Sequence, residues 1–368
     1  MLTLDTDRLS EALQLAEMSV GLSDPNPRVG CVIGFADGTV CGRGHTQEVG
    51  GAHAEVMALR DASSVGASVV GATAWVSLEP CAHHGRTPPC CEALISAGIV
   101  RAVVAIEDPY PKVAGRGIAR LRAAGVHVEV AAADIAAVAR ELNIGFFSRV
   151  TRGKPWVRLK AAISLDGRTA LHNGESQWIT GEAARNDGHL WRKRAGAVLT
   201  GIGTVLHDDP RLDVRGVATQ VQPLRVVLDS RWRTPLSARL LSPPGRALVI
   251  GTGAAPEQRR RLQEAGADTL AMAGDAQRVA LPVLLEELAR REVNELHVEA
   301  GAVLNAALLQ GGHVDELLIY MAPKLLGDGA SLADLGQLSH LTDGVDFRFQ
   351  AIDRVGEDIR LRLVKTAR

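Results

Sequence analysis

The feature that most restricts how this chain can fold is a set of metal-binding side chains spread over three short segments: His53-Ala-Glu55, Pro80-Cys81 and Cys90. All five cysteines lie between Cys31 and Cys91, which suits a local thiolate site in a reducing compartment better than a disulfide framework. One imidazole and two thiolates form a good donor set for zinc and leave a fourth tetrahedral position open, as in catalytic rather than structural sites. On an ideal helix, residues two apart point about 200° away from each other, so His53 and Glu55 converge only at a helix's first turn. The preceding Gly50-Gly51-Ala52 permits such an exposed start. Cys90 follows Pro88-Pro89 at another helix start, where the dipole favours a thiolate.

Each element of this pattern is commonplace alone. A His-x-Glu triplet arises often by chance, and a buried cysteine usually behaves as a small apolar residue. Together, H-x-E and a downstream P-C…C match the zinc-deaminase signature, with His53, Cys81 and Cys90 as ligands and Glu55 as general acid/base. Cys91 competes with Cys90 for the third position, but one helical step turns it by about 100°, so only one of the two faces the ion. Cys31 and Cys41 fall in predicted strands and are expected in the core.

A chain of 368 residues is longer than one hydrophobic core usually grows, and two domains are expected. Hydrophobic residues at 46% and charged residues at 23% describe a globular protein rather than a disordered one. The net charge of -1 gives no general attraction for nucleic acid. No apolar run approaches the roughly 20 residues of a membrane span, and the start of the chain reads as an acidic amphipathic helix rather than a signal peptide. A cytoplasmic protein with neither nucleic-acid nor membrane partner is expected.

Apolar Leu9, Leu13, Ala16 and Val20 recur at helical spacing before the turn-forming SDPNP. VGCVIGF and TVCGRGH read as strands joined by a two-residue hairpin signal, Asp37-Gly38. HAEVMALRDA, PPCCEALISAG and GIARLRAAG read as helices, alternating with strands in TAWVSLEP, VRAVVAIED and VHVEVA. That alternation calls for a layered α/β domain with a largely parallel sheet. The segment ELNIGFFSRVTRGKPW ends the pattern, which places the boundary near residue 147, with domains over 1–147 and 148–368.

Three segments, SDPNPRVGCVIG, GGAHAEVMAL and SLEPCAHHGRTPPCCEALISAGI, closely resemble the deaminase half of the bifunctional riboflavin-biosynthesis deaminase/reductase family. The resemblance implies a cytidine-deaminase-like fold, one zinc ion per chain, and a phosphorylated pyrimidine substrate whose 2-amino group is hydrolysed. Nucleoside and transfer-RNA deaminases share the site but separate the two cysteines by only two residues, whereas AHHGRTPP intervenes here. His83 and Arg86 in that long loop would suit a phosphorylated substrate, and Asn26 and His45 resemble base-holding residues. Asn26 reads equally well as a turn former. Where the family has DPNP after the later strand, this chain has Asp108-Pro-Tyr110-Pro.

Beyond the boundary the strand-like runs AVLTGIG, LRVVLDS, RALVIG, ELHVEAG and DELLIYMAP alternate with helical stretches, again α/β. No G-x-G-x-x-G follows the first strand, so a Rossmann site is not supported. GIGTVLHDDPRLDVR reads as a glycine-rich turn, and LHVEAGAVLNAALL as strand, glycine and helix, whose free N–H groups could bind a phosphate. SLDGRTA, GESQWIT, LTGIGTVLHDDPRL, VVLDS, VEAG and VDELLIYMAPKLLG resemble the reductase half of the same family. A dihydrofolate-reductase-like domain using NADPH is implied. Ala162, Trp178, Thr204, Asp208, Ser230, Gly301, Ala302, Val303 and Leu304 resemble cofactor contacts, and Ser176, Leu212, Arg215 and Glu299 substrate contacts. Read without the resemblance, Trp178 would be a core residue and Arg215 a solvated one. Ala300 stands where the family commonly has a glycine, which restricts close backbone approach there. Lys160 and Asp208 are candidates for the reductase proton donor.

The expected activity is deamination of 2,5-diamino-6-(5-phosphoribosylamino)pyrimidin-4(3H)-one followed by NADPH reduction of its ribosyl group to ribityl, carried out by a homo-oligomer. Two alternatives are a nucleoside or transfer-RNA deaminase with a non-catalytic C-terminal binding domain, and a zinc-dependent structural protein.

Overall fold

The computed structural model describes residues 2–84, 88–111, 113–275 and 278–366. The chain divides into two compact units, 1–154 and 155–368.

The first unit runs α1 (Leu2–Glu17), β1 (Gly30–Gly34), β2 (Val40–His45), α2 (Ala54–Ser64), β3 (Thr73–Val76), α3 (Cys90–Ser96), β4 (Arg101–Val104), α4 (Arg116–Ala123), β5 (His127–Val130), α5 (Ala133–Leu142) and α6 (Ile144–Arg152). Its five-stranded sheet has the order β2-β1-β3-β4-β5. Only β3, β4 and β5 are parallel; β1 is antiparallel to both β2 and β3. The sheet is therefore mixed rather than largely parallel, because β1 and β2 form a hairpin. Asp37-Gly38 does mark that hairpin, but inside a longer connection over 35–39, closed by the Phe35 N–H donating to the Thr39 carbonyl at 2.8 Å.

Leu9, Leu13 and Ala16 of α1 pack into a core with Val32, Trp75, Leu94, Val103 and Leu121. Cys31 and Cys91 belong to that core, and Cys41 is buried. α6 runs through the boundary expected near residue 147, because Phe146 and Phe147 bury themselves in the first core. The division between units falls after Lys154 instead.

The second unit runs β6 (Trp156–Ser164), β7 (Arg168–Leu171), α7 (Glu182–Arg194), β8 (Ala197–Gly201), α8 (Ile202–Asp208), β9 (Leu224–Leu228), β10 (Ala247–Gly251), α9 (Pro256–Glu264), β11 (Ala267–Ala271), β12 (Gly274–Asp275), β13 (Arg278–Val279), α10 (Leu281–Arg290), β14 (Glu295–Val298), α11 (Ala302–Gln310), β15 (Glu316–Ala322), β16 (Gly329–Ser331), β17 (Phe347–Val355) and β18 (Asp358–Lys365). A nine-stranded sheet has the order β11-β10-β9-β8-β14-β6-β15-β18-β17. It is parallel from β11 to β15, and β18 and β17 then add as an antiparallel hairpin. The segment read as a glycine-rich turn, GIGTVLHD, is helix α8: Gly201 caps it, and Ile202 and Val205 pack into an apolar cluster around Leu240 and Val249.

Candidate functional site

In the first unit, α2 and α3 present their N-termini to one point. His53 is the extended residue that caps α2, with φ -77° and ψ 167°. Its Nδ1 lies 3.7 Å from Cys81 Sγ and 3.3 Å from Cys90 Sγ. Among the described residues, this is the one group of three or more donors whose ligand atoms all lie within 4.8 Å of one another. Zinc–nitrogen and zinc–sulfur bonds of usual length meeting at the tetrahedral angle put N and S about 3.6 Å apart, so the donor triangle fits the ion. The Cys90 N–H donates to Cys81 Sγ at 3.3 Å, and the Cys91 N–H to the Cys81 carbonyl at 3.2 Å. That choice resolves the competition between adjacent cysteines: Cys90 joins the triangle and Cys91 turns into the core.

The electrostatics agree with a cation site. Hydrogen bonds from Cys90 and then His53 bring the Cys81 thiol down to about 4, while the proton shared with Cys81, together with burial, pushes Cys90 up. A metal cation displaces such a proton and leaves two thiolates. Glu55, in the first turn of α2 and only 3% exposed, is raised to about 7, first by burial and then by the charge of Cys81. A carboxyl poised near neutrality suits both taking and giving a proton.

The GRG of β2 lets α2 come this close to the sheet. A Cβ built on Gly44 would sit 2.3 Å from the Ala54 carbonyl oxygen and 2.4 Å from the Ala58 nitrogen, distances no side chain tolerates.

The remaining first-unit candidates are placed less tightly. Asn26 lies in the loop before β1, with its N–H donating to the Ser23 carbonyl at 2.8 Å. That loop is clamped from α5 and α6: the Arg28 N–H donates to Asn143 Oδ1 at 2.7 Å, and Arg149 Nη2 to the Pro25 carbonyl at 3.1 Å. His45 ends β2, its Nδ1 3.3 Å from Ser19 Oγ. His83 is exposed, and Arg86 lies outside the described residues.

In the second unit, a cavity of about 1140 Å³ opens beside β6, α7, the α8 and α11 N-termini and the loop after β9. Its lining contains every residue expected there from sequence: Ala162, Trp178, Thr204, Asp208, Ser230 and Gly301 to Leu304, with Ser176, Leu212, Arg215 and Glu299. A volume above the roughly 300–1,000 Å³ of single-ligand pockets has room for two ligands side by side. The first-turn N–H groups of α11 have no intrahelical acceptor, which suits them to phosphate. Trp178 is 65% exposed rather than core, with the Arg185 guanidinium 4.6 Å from its ring centre. Arg215 is paired with the buried Asp213.

These sites can be set against known proteins. Residues 3–106 match the cytidine and deoxycytidylate deaminase zinc-binding region, and residues 155–361 match the RibD C-terminal domain. The riboflavin biosynthesis protein RibD of Escherichia coli is 45% identical, over 97% of this chain and 98% of its own, and that of Aquifex aeolicus 39% identical, over 97% of each. This chain belongs to the RibD family. The RibD structure from Acinetobacter baumannii superimposes with a TM-score of 0.89 at 41% identity, covering 100% of both chains. A Thermotoga maritima structure titled a diaminohydroxyphosphoribosylaminopyrimidine deaminase/5-amino-6-(5-phosphoribosylamino)uracil reductase gives 0.88 at 30% identity, covering 99% of both. Membership sets aside both alternatives, the nucleoside or transfer-RNA deaminase and the structural zinc protein. The zinc-binding match spans the donor triangle, and the RibD C-terminal match spans the cavity.

Some cavity residues of this RibD-family chain were not singled out from sequence as ligand contacts. Arg192 of α7 grips Glu299 through Nε and Nη2. Burial works to raise the Glu299 carboxyl, but the charge of Arg192, with that of Lys160, holds it well below the ordinary range. Lys160, 5.9 Å from the Tyr320 ring centre, is lowered by burial. His189, which accepts the Arg215 N–H at 3.2 Å, is depressed to about 4 by burial and then by Arg192 and Arg215. The signal lay in EAARNDGHLWRKRA, where His189 and Arg192 fall three apart on one helix face.

Proposed function

We propose that this chain hydrolyses the 2-amino group of 2,5-diamino-6-(5-phosphoribosylamino)pyrimidin-4(3H)-one in its first unit and reduces the ribosyl group of the product to ribityl in its second. The observation that carries this reading is the His53–Cys81–Cys90 triangle beside the buried Glu55. A zinc ion held there supplies Lewis acidity that makes water a nucleophile near neutral pH. Glu55 takes a proton from the attacking water on its carboxylate and gives it to the ring nitrogen, then takes the remaining hydroxyl proton of the adduct and gives it to the departing ammonia as the carbonyl forms. Asn26 and His45 orient the pyrimidine, and His83 and Arg86 hold the phosphate.

In the second unit, Ala162, Trp178, Thr204, Asp208, Ser230 and the start of α11 hold NADPH, which supplies hydride to C1′. Ser176, Leu212, Arg215 and Glu299 hold the deaminated substrate, with Arg215 gripping its phosphate in bidentate fashion. Lys160 and Asp208, both in the cavity lining, are the two candidates to protonate the opening sugar. Among the described residues, no helix is long and apolar enough to cross a membrane. We place the protein in the cytoplasm as a homo-oligomer: β17 ends the nine-stranded sheet and exposes Phe349 and Ile352, an edge that self-pairing would cover.

The test is to incubate zinc-loaded protein with the diaminopyrimidinone phosphate and NADPH. Ammonia release and NADPH oxidation are expected in sequence, and a preparation showing neither overturns the reading.

A further inference from the structure

Glu79, two residues before Cys81, is 4% exposed, and its carboxylate accepts four main-chain N–H groups. Oε1 takes those of Gly117 at 2.8 Å and Ile118 at 3.1 Å; Oε2 takes those of Gly115 at 3.0 Å and Asp108 at 3.1 Å. The N-terminus of α4 is thereby docked on the Glu79-Pro80 corner. The fit leaves no slack: a Cβ on Gly117 would lie 1.9 Å from the Pro80 carbonyl oxygen. On its other side Cys81 is hooked to the start of α3, its Sγ by the Cys90 N–H and its carbonyl by the Cys91 N–H. Only Pro80 separates clamp from ligand, and its ring locks φ near -65°. Pro80 thus removes one of the few main-chain torsions through which a displacement of Glu79 could be absorbed before it reaches Cys81.

We propose that Glu79 is the positioning residue of the metal centre, holding Cys81 at the vertex of the donor triangle by tying its strand end to α4. The inference rests on the zinc reading above. A neutral amide cannot substitute for the carboxylate. Glutamine keeps one oxygen and turns the other into an NH2 that faces two N–H donors, so one half of the clamp becomes repulsive. Partners that orient a ligand from outside the coordination sphere typically cost 10–100-fold in metal affinity when lost.

The experiment compares full-length wild type, Glu79→Gln and Glu79→Asp for zinc affinity by chelator competition, for the visible d–d bands of the cobalt-substituted protein, and for thermal unfolding of the metal-free form. Glu79→Gln is expected to lose about 10–100-fold in affinity and to alter the cobalt spectrum while the metal-free protein still unfolds cooperatively. Glu79→Asp, which keeps the charge but retracts it, should fall between the two and carries the test if Glu79→Gln does not fold. A cobalt spectrum and an affinity equal to wild type in the folded fraction of the variants overturn the proposal. Absence of stoichiometric zinc in wild type itself would instead overturn the zinc reading.

Discussion

Arg192 and Glu299 meet on the wall of the second unit's cavity, Nε to Oε1 at 2.5 Å and Nη2 to Oε2 at 2.9 Å, with side chains 15% and 16% exposed. A pair so shielded is asymmetric in its failure: removing one partner strands the other charge, at about 2–5 kcal/mol. Because Arg192 orients Glu299, proposed above to hold the deaminated substrate, Arg192→Met should cut kcat/KM for NADPH oxidation on that substrate by about 10²-fold, the usual loss for a misplaced positioning group. Ammonia release by the same protein should be unchanged. Equal losses in both half-reactions would mean that the substitution unfolds the chain rather than disarming one site.

Glu55 admits a sharper separation. Glu55→Gln keeps the shape of the side chain and removes its proton-carrying capacity, so ammonia release should fall about 10²–10⁴-fold. Zinc content and NADPH oxidation on pre-deaminated substrate should match wild type. Retained ammonia release at full zinc loading would take the proton-carrier role from Glu55.

The donor triangle was legible in sequence because its chemistry is local: His-x-Glu at a helix start and a cysteine after two prolines each carry their own geometry. Arg192 was not, because an arginine within the RKR of α7 looks like a solvated helix end until β14 brings Glu299 beside it. Glu79 stayed hidden for a related reason. Its partners are backbone N–H groups of a later helix, which leave no mark on residue type. Residue type alone would put Trp178 in the core, because aromatic residues are usually buried; the family resemblance put it at the cofactor, and the fold has it on the cavity wall, 65% exposed. The sheet's parallel part followed from helix–strand alternation, whereas the direction of β1 depended on a hairpin whose loop is longer than its Asp-Gly signal suggests.

Gly44 offers a test of how closely the metal site depends on helix packing. Its missing side chain lets Ala54 and Ala58 of α2 lie against β2, and a methyl group there would meet the Ala54 carbonyl oxygen at 2.3 Å. Gly44→Ala should destabilise the first unit by about 1–3 kcal/mol. Because α2 carries both His53 and Glu55, zinc stoichiometry and ammonia release should fall together. Gly38→Ala, in the hairpin loop with nothing within 4 Å, perturbs the same sheet through its φ of 93° and should leave zinc bound. Full zinc content in the Gly44 variant would show that α2 tolerates displacement.

Asp108 predicts a pH dependence of stability in the first unit. Its carboxyl is raised from 3.8 to about 7, first by burial, with the Tyr110 N–H opposing the shift and the charge of Glu79 adding to it. Between these two values the folded chain holds a proton that the unfolded chain has released, so stability declines as pH climbs from about 4 to about 7. The decline from this one group approaches one proton, or about 1.4 kcal/mol per pH unit at its steepest. Asp108→Asn stays neutral and can keep the Tyr110 N–H bond at Oδ1, which is 2.7 Å in the native protein. Thermal midpoints of the two zinc-saturated proteins, compared at each pH so that the pH dependence of zinc binding largely cancels, should be close near pH 4. Above pH 7 the variant should be the more stable. A difference that stays flat across this range would mean that Asp108 is already ionised at acid pH.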